Sequence, residues 1–360
     1  MKILFLTVGN ELVASSRTRV YQYLPYFKKA NISYRIIKYE SGLNYWFVSR
    51  FNSQNIFSKI TGWFGLKFTK QFHRIYSTIQ VIRLVFYSNF VDVLFIQKAL
   101  LPIWVQNFLK SVQPNIVFDF DDAIYADTLN FDRNRIDHQL SFAKLAILEN
   151  EETEKYAQKH NIRSVRITGP IDCQRYLPRR HLNSYDRAII GWIGSSSTTQ
   201  YLRLIEEPLQ IISKKKQNVT LELIGAGHFV IDGVNVIEQK WSLNTEVELL
   251  HHFDIGIMPL FDNEYSRGKG GYKILQYMAM GIPSIASPVG INKELIIDGE
   301  NGFLASDSNE WVEKLIYLLD NPEIRSNMGQ AARKIALTKY SFDVNFPILE
   351  KLLKEISGDK

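Results

Sequence analysis

Three carboxylates crowd into one short stretch, Asp119-Phe120-Asp121-Asp122, at the end of an apolar run that begins near Asn115. Acidic groups this close repel one another, so a stabilising partner is expected: a hydroxyl-rich ligand, a nearby arginine or a divalent ion. One of them could also act as a general base. A helix cap would account for only one of the three. A second group, Arg267-Gly268-Lys269-Gly270-Gly271-Tyr272-Lys273, follows the strand-like Met258-Pro259-Leu260 and opens an apolar helix that stops at Gly281 before Pro283. Its glycines let backbone N–H groups approach an anion closely, and Arg267, Lys269 and Lys273 add formal charge. That chemistry suits a departing nucleoside diphosphate, whose negative charge grows as its bond breaks. An exposed turn would explain the glycines but not three cations at one helix start.

Weaker signals accompany these two. Gly194-Ser195-Ser196-Ser197-Thr198-Thr199 closes one apolar run and opens a helix, where hydroxyls can cap the helix, bind phosphate, or both. Gly225-Ala226-Gly227-His228 follows another strand and could touch a nucleobase, although a solvated loop histidine is the plainer reading of His228. Near the start, Gly9-Asn10 and then Ser15-Ser16-Arg17-Thr18-Arg19 offer a polar, basic loop. It reads either as an anion site at a helix start or as a capped surface helix with exposed arginines. No G-x-G-x-x-G follows the first strand, which argues against a dinucleotide cofactor.

The elements that must position these residues alternate strand with helix. Strands are expected at Ile3–Thr7, Tyr34–Ile37, Val93–Ile96, Ile116–Phe120 and Ser164–Ile167, then at Ala188–Ile193, Thr220–Ile224, Asn235–Ile237, Ile255–Met258 and Ser284–Ala286. Helices are expected at Arg19–Lys29, Ile103–Val112, Thr199–Lys215 and Glu246–His251. The alternation predicts parallel sheets covered by helices. From Gly169-Pro170 to Tyr185 the chain is rich in turn formers and charge and reads as an interdomain linker, after which the pattern restarts. In open α/β sheets ligands bind beyond the carboxyl ends of the strands, which is where all five polar stretches fall.

The bulk numbers agree. A chain of 360 residues, 46% apolar and 22% charged, has room for two soluble α/β domains. No run approaches a membrane span, and Met1–Thr7 turns polar too soon for a signal peptide. A single cysteine, Cys173, fits a reducing compartment. The net charge of +6 is uneven: no acidic residue lies between Glu40 and Asp92, while Arg50, Lys59, Lys67, Lys70, Arg74 and Arg83 do. Phe57, Ile60, Phe64, Phe68, Phe72 and Ile75 recur there at helical spacing. The region 50–83 supports two readings: a helix lying on an anionic membrane surface, or an amphipathic helix packed on its own domain with a solvated basic side. No nucleic-acid-binding motif accompanies the charge.

Several of these segments, taken in order, resemble the retaining GT-B glycosyltransferases of family 4. Gly169-Pro170-Ile171-Asp172 with Tyr176 and Pro178 is similar to that family's interdomain segment, and Leu275 through Pro283 with Ala286 to its donor-site helix and following strand. Asp298-Gly299-Glu300-Asn301-Gly302-Phe303-Leu304 resembles the next turn, and Asp320-Asn321-Pro322 through Tyr340-Ser341-Phe342 the closing helices. Ser15–Arg19 and Asp119–Asp122 resemble a bacterial subgroup active in surface-polysaccharide assembly. Where the family carries two glutamates, this chain has Gly268 and Gln276, and the usual Arg and Lys after the second domain's first strand give way to Ser195 and its neighbours.

The resemblance implies two Rossmann-like domains facing across a cleft: 1–175 on the acceptor side, 176–341 for the donor, and 342–360 returning to the first domain. It implies a retaining transfer by front-face attack, from a nucleotide-sugar to a glycan or lipid-linked acceptor, on the cytoplasmic side of a membrane, with no cofactor or metal. Domain closure would exclude water. The residues carried over are Asp121, Asp122 and Lys273 for catalysis. Gly9, Arg17, Gly194, Ser195, Ser196, Gly225, Arg267, Gly268, Lys269, Gly270, Gly271, Tyr272 and Gln276 are carried over for the donor, and Arg19 and Asp119 for the acceptor. A nucleotide-sugar epimerase and a non-catalytic scaffold are the alternative readings.

Overall fold

The computed structural model describes residues 1–40, 75–178 and 187–358. The part of the basic window up to Arg74 and the end of the expected linker lie outside them. The chain divides into two compact units: Met1–Leu148 with Glu154–Arg166 and Ile348–Lys360, and Glu149–Thr153 with Ile167–Pro347.

The first unit is built on six parallel strands: β1 (Lys2–Thr7), β2 (Ser33–Lys38), β3 (Val93–Gln97), β4 (Ile116–Phe120), β5 (Leu145–Leu148) and β6 (Ser164–Arg166). They lie in the order β2-β1-β3-β4-β5-β6, with the order reversing between β1 and β3. β3, β4 and β5 are buried along their whole length, as their largely apolar runs require of strands covered on both faces. Register sets the ends level: Thr7 pairs with Gln97, and Gln97 with Asp119. Three polar side chains therefore line up at the carboxyl edge beside the switch point, all fully buried. β5 was not expected from the sequence, because four apolar residues carry no period that separates a strand from a helical turn. The expected helix at Arg19–Lys29 is two short helices, Ala14–Arg19 and Leu24–Lys29, split by a 3-10 turn.

The second unit carries β7 (Ala188–Ile193), β8 (Val219–Ile224), β9 (Val236–Gln239), β10 (Ile255–Met258), β11 (Ser284–Ala286) and β12 (Gly302–Leu304). Their order, β12-β11-β10-β7-β8-β9, is the doubly wound Rossmann arrangement with its switch point between β7 and β10. There Gly191 of β7 pairs with Gly256 of β10. A Cβ on Gly191 would lie 2.0 Å from the Phe253 ring, and one on Gly256 2.4 Å from the Tyr277 ring. The two bare positions form the seat for those aromatics. Tyr277 also accepts the Ile193 N–H at 3.2 Å, so the helix Tyr272–Met280 is pinned to the end of β7.

Candidate active site

At the carboxyl edge of the first unit the polar residues neutralise one another. Gly9 N–H donates to Ser16 Oγ at 3.2 Å, and that hydroxyl donates to Gln97 Oε1 at 2.9 Å, tying the loop after β1 to β3. Arg17, buried, donates to the Glu11 carbonyl at 3.0 Å and so braces the same loop from within. Arg19 and Asp119 are 2% and 1% exposed and meet through three contacts of 2.5–3.1 Å. Burial pushes the Asp119 carboxyl up from its ordinary range, and the Arg19 guanidinium pulls against that shift.

Asp121 and Asp122 sit further out, and sequence reading missed their partner. Lys98, the residue after β3, places its Nζ 2.7 Å from Asp121 Oδ1 and 2.9 Å from Asp122 Oδ2. Burial alone would push this ammonium down; the two carboxylates override that and hold it above its usual range. To reach them Lys98 adopts φ +56°, a left-handed conformation uncommon for a residue with a side chain, and its N–H bonds the Asp119 carbonyl at 2.7 Å. The only sequence signal was a lysine ending a buried apolar strand. None of the three carboxylates caps the 3-10 turn Ile124–Ala126 that follows. That turn is held by Tyr125, whose ring stacks on Tyr156 at 3.7 Å and 2°.

The second unit's carboxyl edge is built differently. Gly271 takes φ +67° at the cap of Tyr272–Met280, and a Cβ there would lie 2.6 Å from Leu295 and 2.8 Å from Ile291. No other residue fits that turn. The first amides of the helix thereby open onto the loop, with Lys273 in its first turn. The Lys273 stem runs beside Gly194, where a Cβ would lie 2.8 Å from its Cε, and its ammonium stands 5.3 Å from the Trp192 ring centre. Gly225 (φ +77°) packs as tightly: a Cβ would fall 2.3 Å from the Gly194 carbonyl oxygen. Gly194, Gly225 and Lys273 are thus brought together, with exposed Ser195 and Ser196 at the start of a 3-10 helix (Ser196–Ile205) where an α-helix was expected.

The remaining loop residues divide. Gly268 and Gly270 are buried, and the Lys269 carbonyl accepts from Asn150 Nδ2 at 3.1 Å. The Lys269 ammonium stands 4.3 Å from the Tyr265 ring centre. Arg267 is exposed and bonded to Asp262 at 2.5 Å, on the rim of the loop. Gln276 is 4% exposed, and its amide donates to Tyr176 OH at 3.1 Å. Tyr176 OH donates in turn to Glu246 Oε1 at 2.7 Å, a carboxylate that also accepts from Trp241 Nε1 at 2.7 Å and from Arg175 at 3.1 Å. Sequence reading gave Glu246 no role, since its partners lie up to about 70 positions away. A cavity of about 360 Å³ opens at the far end of the same helix, by Asp254, Arg325 and Arg333. Arg333 is engaged there, donating to the Ala279, Tyr176 and Cys173 carbonyls, so it braces the helix end.

Two parallel six-stranded sheets, each with a switch-point site at its carboxyl edge, define an α/β protein of the GT-B fold. Residues 187–321, most of the second unit, match the family model described as Glycosyl transferases group 1. The Bacillus subtilis putative glycosyltransferase EpsD is 39% identical over 189 residues, 49% of this chain and 48% of that one. A trehalose synthase of Pyrococcus horikoshii is 45% identical over 64 residues, 18% of this chain and 15% of that one. The chain thus spans half the length or less of the curated relatives it matches. Among solved structures, Anabaena HepE, crystallised with UDP and glucose, superposes with a TM-score of 0.67 at 15% identity over 98% of this chain and 99% of that one. The sucrose-phosphate synthase of Thermosynechococcus elongatus gives 0.69 at 14% identity over the whole of both chains.

Proposed function

We propose that the protein is a retaining glycosyltransferase that moves a sugar from a nucleotide-sugar donor to a glycan or lipid-linked acceptor in surface-polysaccharide assembly. The observation that carries this reading is the start of helix Tyr272–Met280, where a left-handed glycine, two bare glycine contacts and the Lys273 ammonium meet at the switch point of a Rossmann sheet. Backbone amides and one cation at such a point suit a diphosphate. The donor diphosphate lies against Gly194, Ser196, Gly271 and Lys273, with the base toward Gly225. As the glycosidic bond breaks, the leaving oxygen gains charge, and Lys273 and the helix amides stabilise it without reorganising. The acceptor hydroxyl attacks on the face from which the diphosphate leaves and gives its proton to the leaving phosphate, which retains configuration; Asp121 and Asp122 are the first unit's candidates for binding the acceptor. The step calls on no metal ion. A lipid-linked acceptor would place the reaction at the cytoplasmic face of a membrane. HepE's complexes with UDP, glucose and UDP-glucose make a uridine donor the first to try.

The test is a thermal-shift panel of UDP, GDP, ADP and CMP with their common sugar conjugates, run beside Lys273→Ala. A ligand at a hundred times its dissociation constant adds about 2.7 kcal/mol, a shift of several degrees. One nucleotide family should stabilise the wild type and lose that effect in the variant. No shift with any nucleotide, or an equal shift in both proteins, overturns the donor site.

A further inference from the structure

The second unit holds a cavity at the edge of its sheet opposite the switch point. Its volume of about 360 Å³ falls in the range of small-ligand pockets, about 300–1,000 Å³. Asp254 and Pro283, which line it, immediately precede β10 and β11, so it lies beyond the amino ends of those strands. Its floor is the end of helix Tyr272–Met280. One wall is helix Pro322–Ile335, which contributes Arg325, Ser326, Gln330 and Arg333. The two helices touch backbone to backbone: a Cβ on Gly329 would lie 2.1 Å from the Gly281 carbonyl oxygen. The walls are therefore set before any guest arrives. Lys273 and Gly281 mark opposite ends of the donor helix, roughly 12 Å apart along its axis, so a guest here leaves the donor site open.

The charges along this cavity are unevenly matched. Arg325 faces the Asp254 carboxylate at 3.8 Å, and Asp254 Oδ2 accepts the Ile189 N–H at 2.8 Å. Two turns further along the same helix, Arg333 donates only to backbone, to the carbonyls of Cys173, Tyr176 and Ala279. Among the described residues no carboxylate comes within ion-pairing distance of it. Two of its five N–H groups, the Nε–H and one on Nη2, have no protein acceptor there. Burial pushes this guanidinium down from its ordinary range, and no carboxylate opposes the shift. A half-buried cation met only by dipoles attracts an anion. His251 donates its Nε2–H to the Leu177 carbonyl at 2.8 Å, so its ring stands at the same Cys173–Leu177 stretch as Arg333 and can take up a proton when an anion enters. Ser326 and Gln330 lie between the two arginines on the wall helix, and Met280 and Ile282 give the floor an apolar patch. We propose that this cavity binds a small hydroxylated phosphate monoester, with its phosphate at Arg333 and His251 and its hydroxyls toward Ser326, Gln330 and the Arg325–Asp254 pair. A phosphate monoester carries a charge of about −1.5 to −2, which matches a guanidinium together with an imidazolium; a carboxylate matches the guanidinium alone. The already balanced Arg325–Asp254 pair suits neutral hydroxyls. The site is separate from the start of the donor helix, and a nucleotide titration of the same protein tests the donor reading on its own.

The experiment is calorimetric titration of the full chain with ribose 5-phosphate, and separately with ribose, inorganic phosphate and malonate, in phosphate-free buffer at about 0.1 M salt. Ribose 5-phosphate should bind one to one and at least about tenfold more tightly than inorganic phosphate, the worth of one or two hydrogen bonds to its hydroxyls. Ribose and malonate should bind more weakly still. Gln330→Glu sets a carboxylate one turn from Arg333 on the same helix face and supplies the partner that Arg333 lacks. It should weaken ribose 5-phosphate at least about tenfold while the melting temperature holds or rises. Lys273→Ala should leave ribose 5-phosphate affinity unchanged. Affinity that survives Gln330→Glu overturns the proposal, as does absence of saturable binding by the wild type. Affinity that falls with Lys273→Ala instead overturns it by placing the ester in the donor site. Malonate binding as tightly as the ester overturns the phosphate in favour of a carboxylate, and inorganic phosphate binding as tightly overturns the hydroxyl contacts.

Discussion

The two switch points use opposite means to the same end. At the first, between β1 and β3, charge is locked into pairs: Arg19 with Asp119 in the interior, and Lys98 with Asp121 and Asp122 nearer the solvent. At the second, between β7 and β10, space is cleared instead: Gly194, Gly225 and Gly271 have neighbours where a side chain would be, and the Lys273 ammonium stands 5.3 Å from the Trp192 ring centre. A site whose charges are already satisfied suits neutral hydroxyls, which add hydrogen bonds without upsetting the balance. A glycine-lined helix start with a lysine in its first turn suits an anion. The contrast predicts that damage to the first unit appears mainly as lost stability, and damage to the second mainly as lost nucleotide affinity.

The largest effect should follow Asp119→Ala. It strands a guanidinium that is 2% exposed, and breaking a buried pair from one side typically costs about 3–5 kcal/mol. Replacing both partners, Arg19→Met with Asp119→Leu, should recover most of that stability in urea denaturation, because no unpaired charge remains. Any nucleotide response should persist in the double variant. Gly225→Val comes next: φ +77° and a backbone oxygen 2.3 Å from the new Cβ should cost roughly 1–3 kcal/mol. Here nucleotide affinity should fall together with stability, which would sharpen the contrast. A stable Gly225→Val protein with full affinity would break it.

How far each site was legible follows from the same difference. The glycine loop, Lys273 and the helix behind them are contiguous in the chain, so composition and a stop at Gly281 were enough to read them. β3, β4, β7 and β10 were equally plain as short, largely apolar runs. The first site is assembled from three strand ends. Lys98 is 23 residues from Asp121, and Arg19 is 100 from Asp119, so pairing is visible only once register brings β1, β3 and β4 level. The left-handed turn at Lys98 that aims it at the two carboxylates has no composition signal. Gln276 shows the same limit from the other side: its place on the helix is plain in the sequence, but its bond to Tyr176, itself held by Glu246, spans 100 positions.

Lys273→Ala should weaken nucleotide binding by about ten- to a hundredfold, the worth of one charge-assisted hydrogen bond, measured by calorimetry. The melting temperature should move less than the affinity, since the lysine is only half-buried and its loss leaves the Trp192 ring in place. Lys98→Met tests the other site with smaller expected consequences. Removing the ammonium leaves two carboxylates facing each other, with side chains 15% and 28% exposed, so water absorbs part of the repulsion. About 1–2 kcal/mol of stability should be lost, with Lys98→Arg restoring most of it and nucleotide affinity unchanged in both. A nucleotide affinity that follows Lys98 rather than Lys273 would reverse the assignment of the two sites.

Arg267→Ala should do least. Its guanidinium is exposed and already bonded to the exposed Asp262, so removing it strands no buried charge and the melting temperature should stay within error. What it contributes to a bound diphosphate acts across water and is screened, so affinity should fall by only about two- to threefold, and less as salt rises toward 0.5 M. Lys273, half-buried beside Trp192 and Gly194, should keep more of its effect over the same salt range. The salt slopes of the two variants therefore separate a cation that shapes the site from one that only borders it. If Arg267→Ala proves as damaging as Lys273→Ala at every salt, the diphosphate lies out along the loop rather than at the helix start.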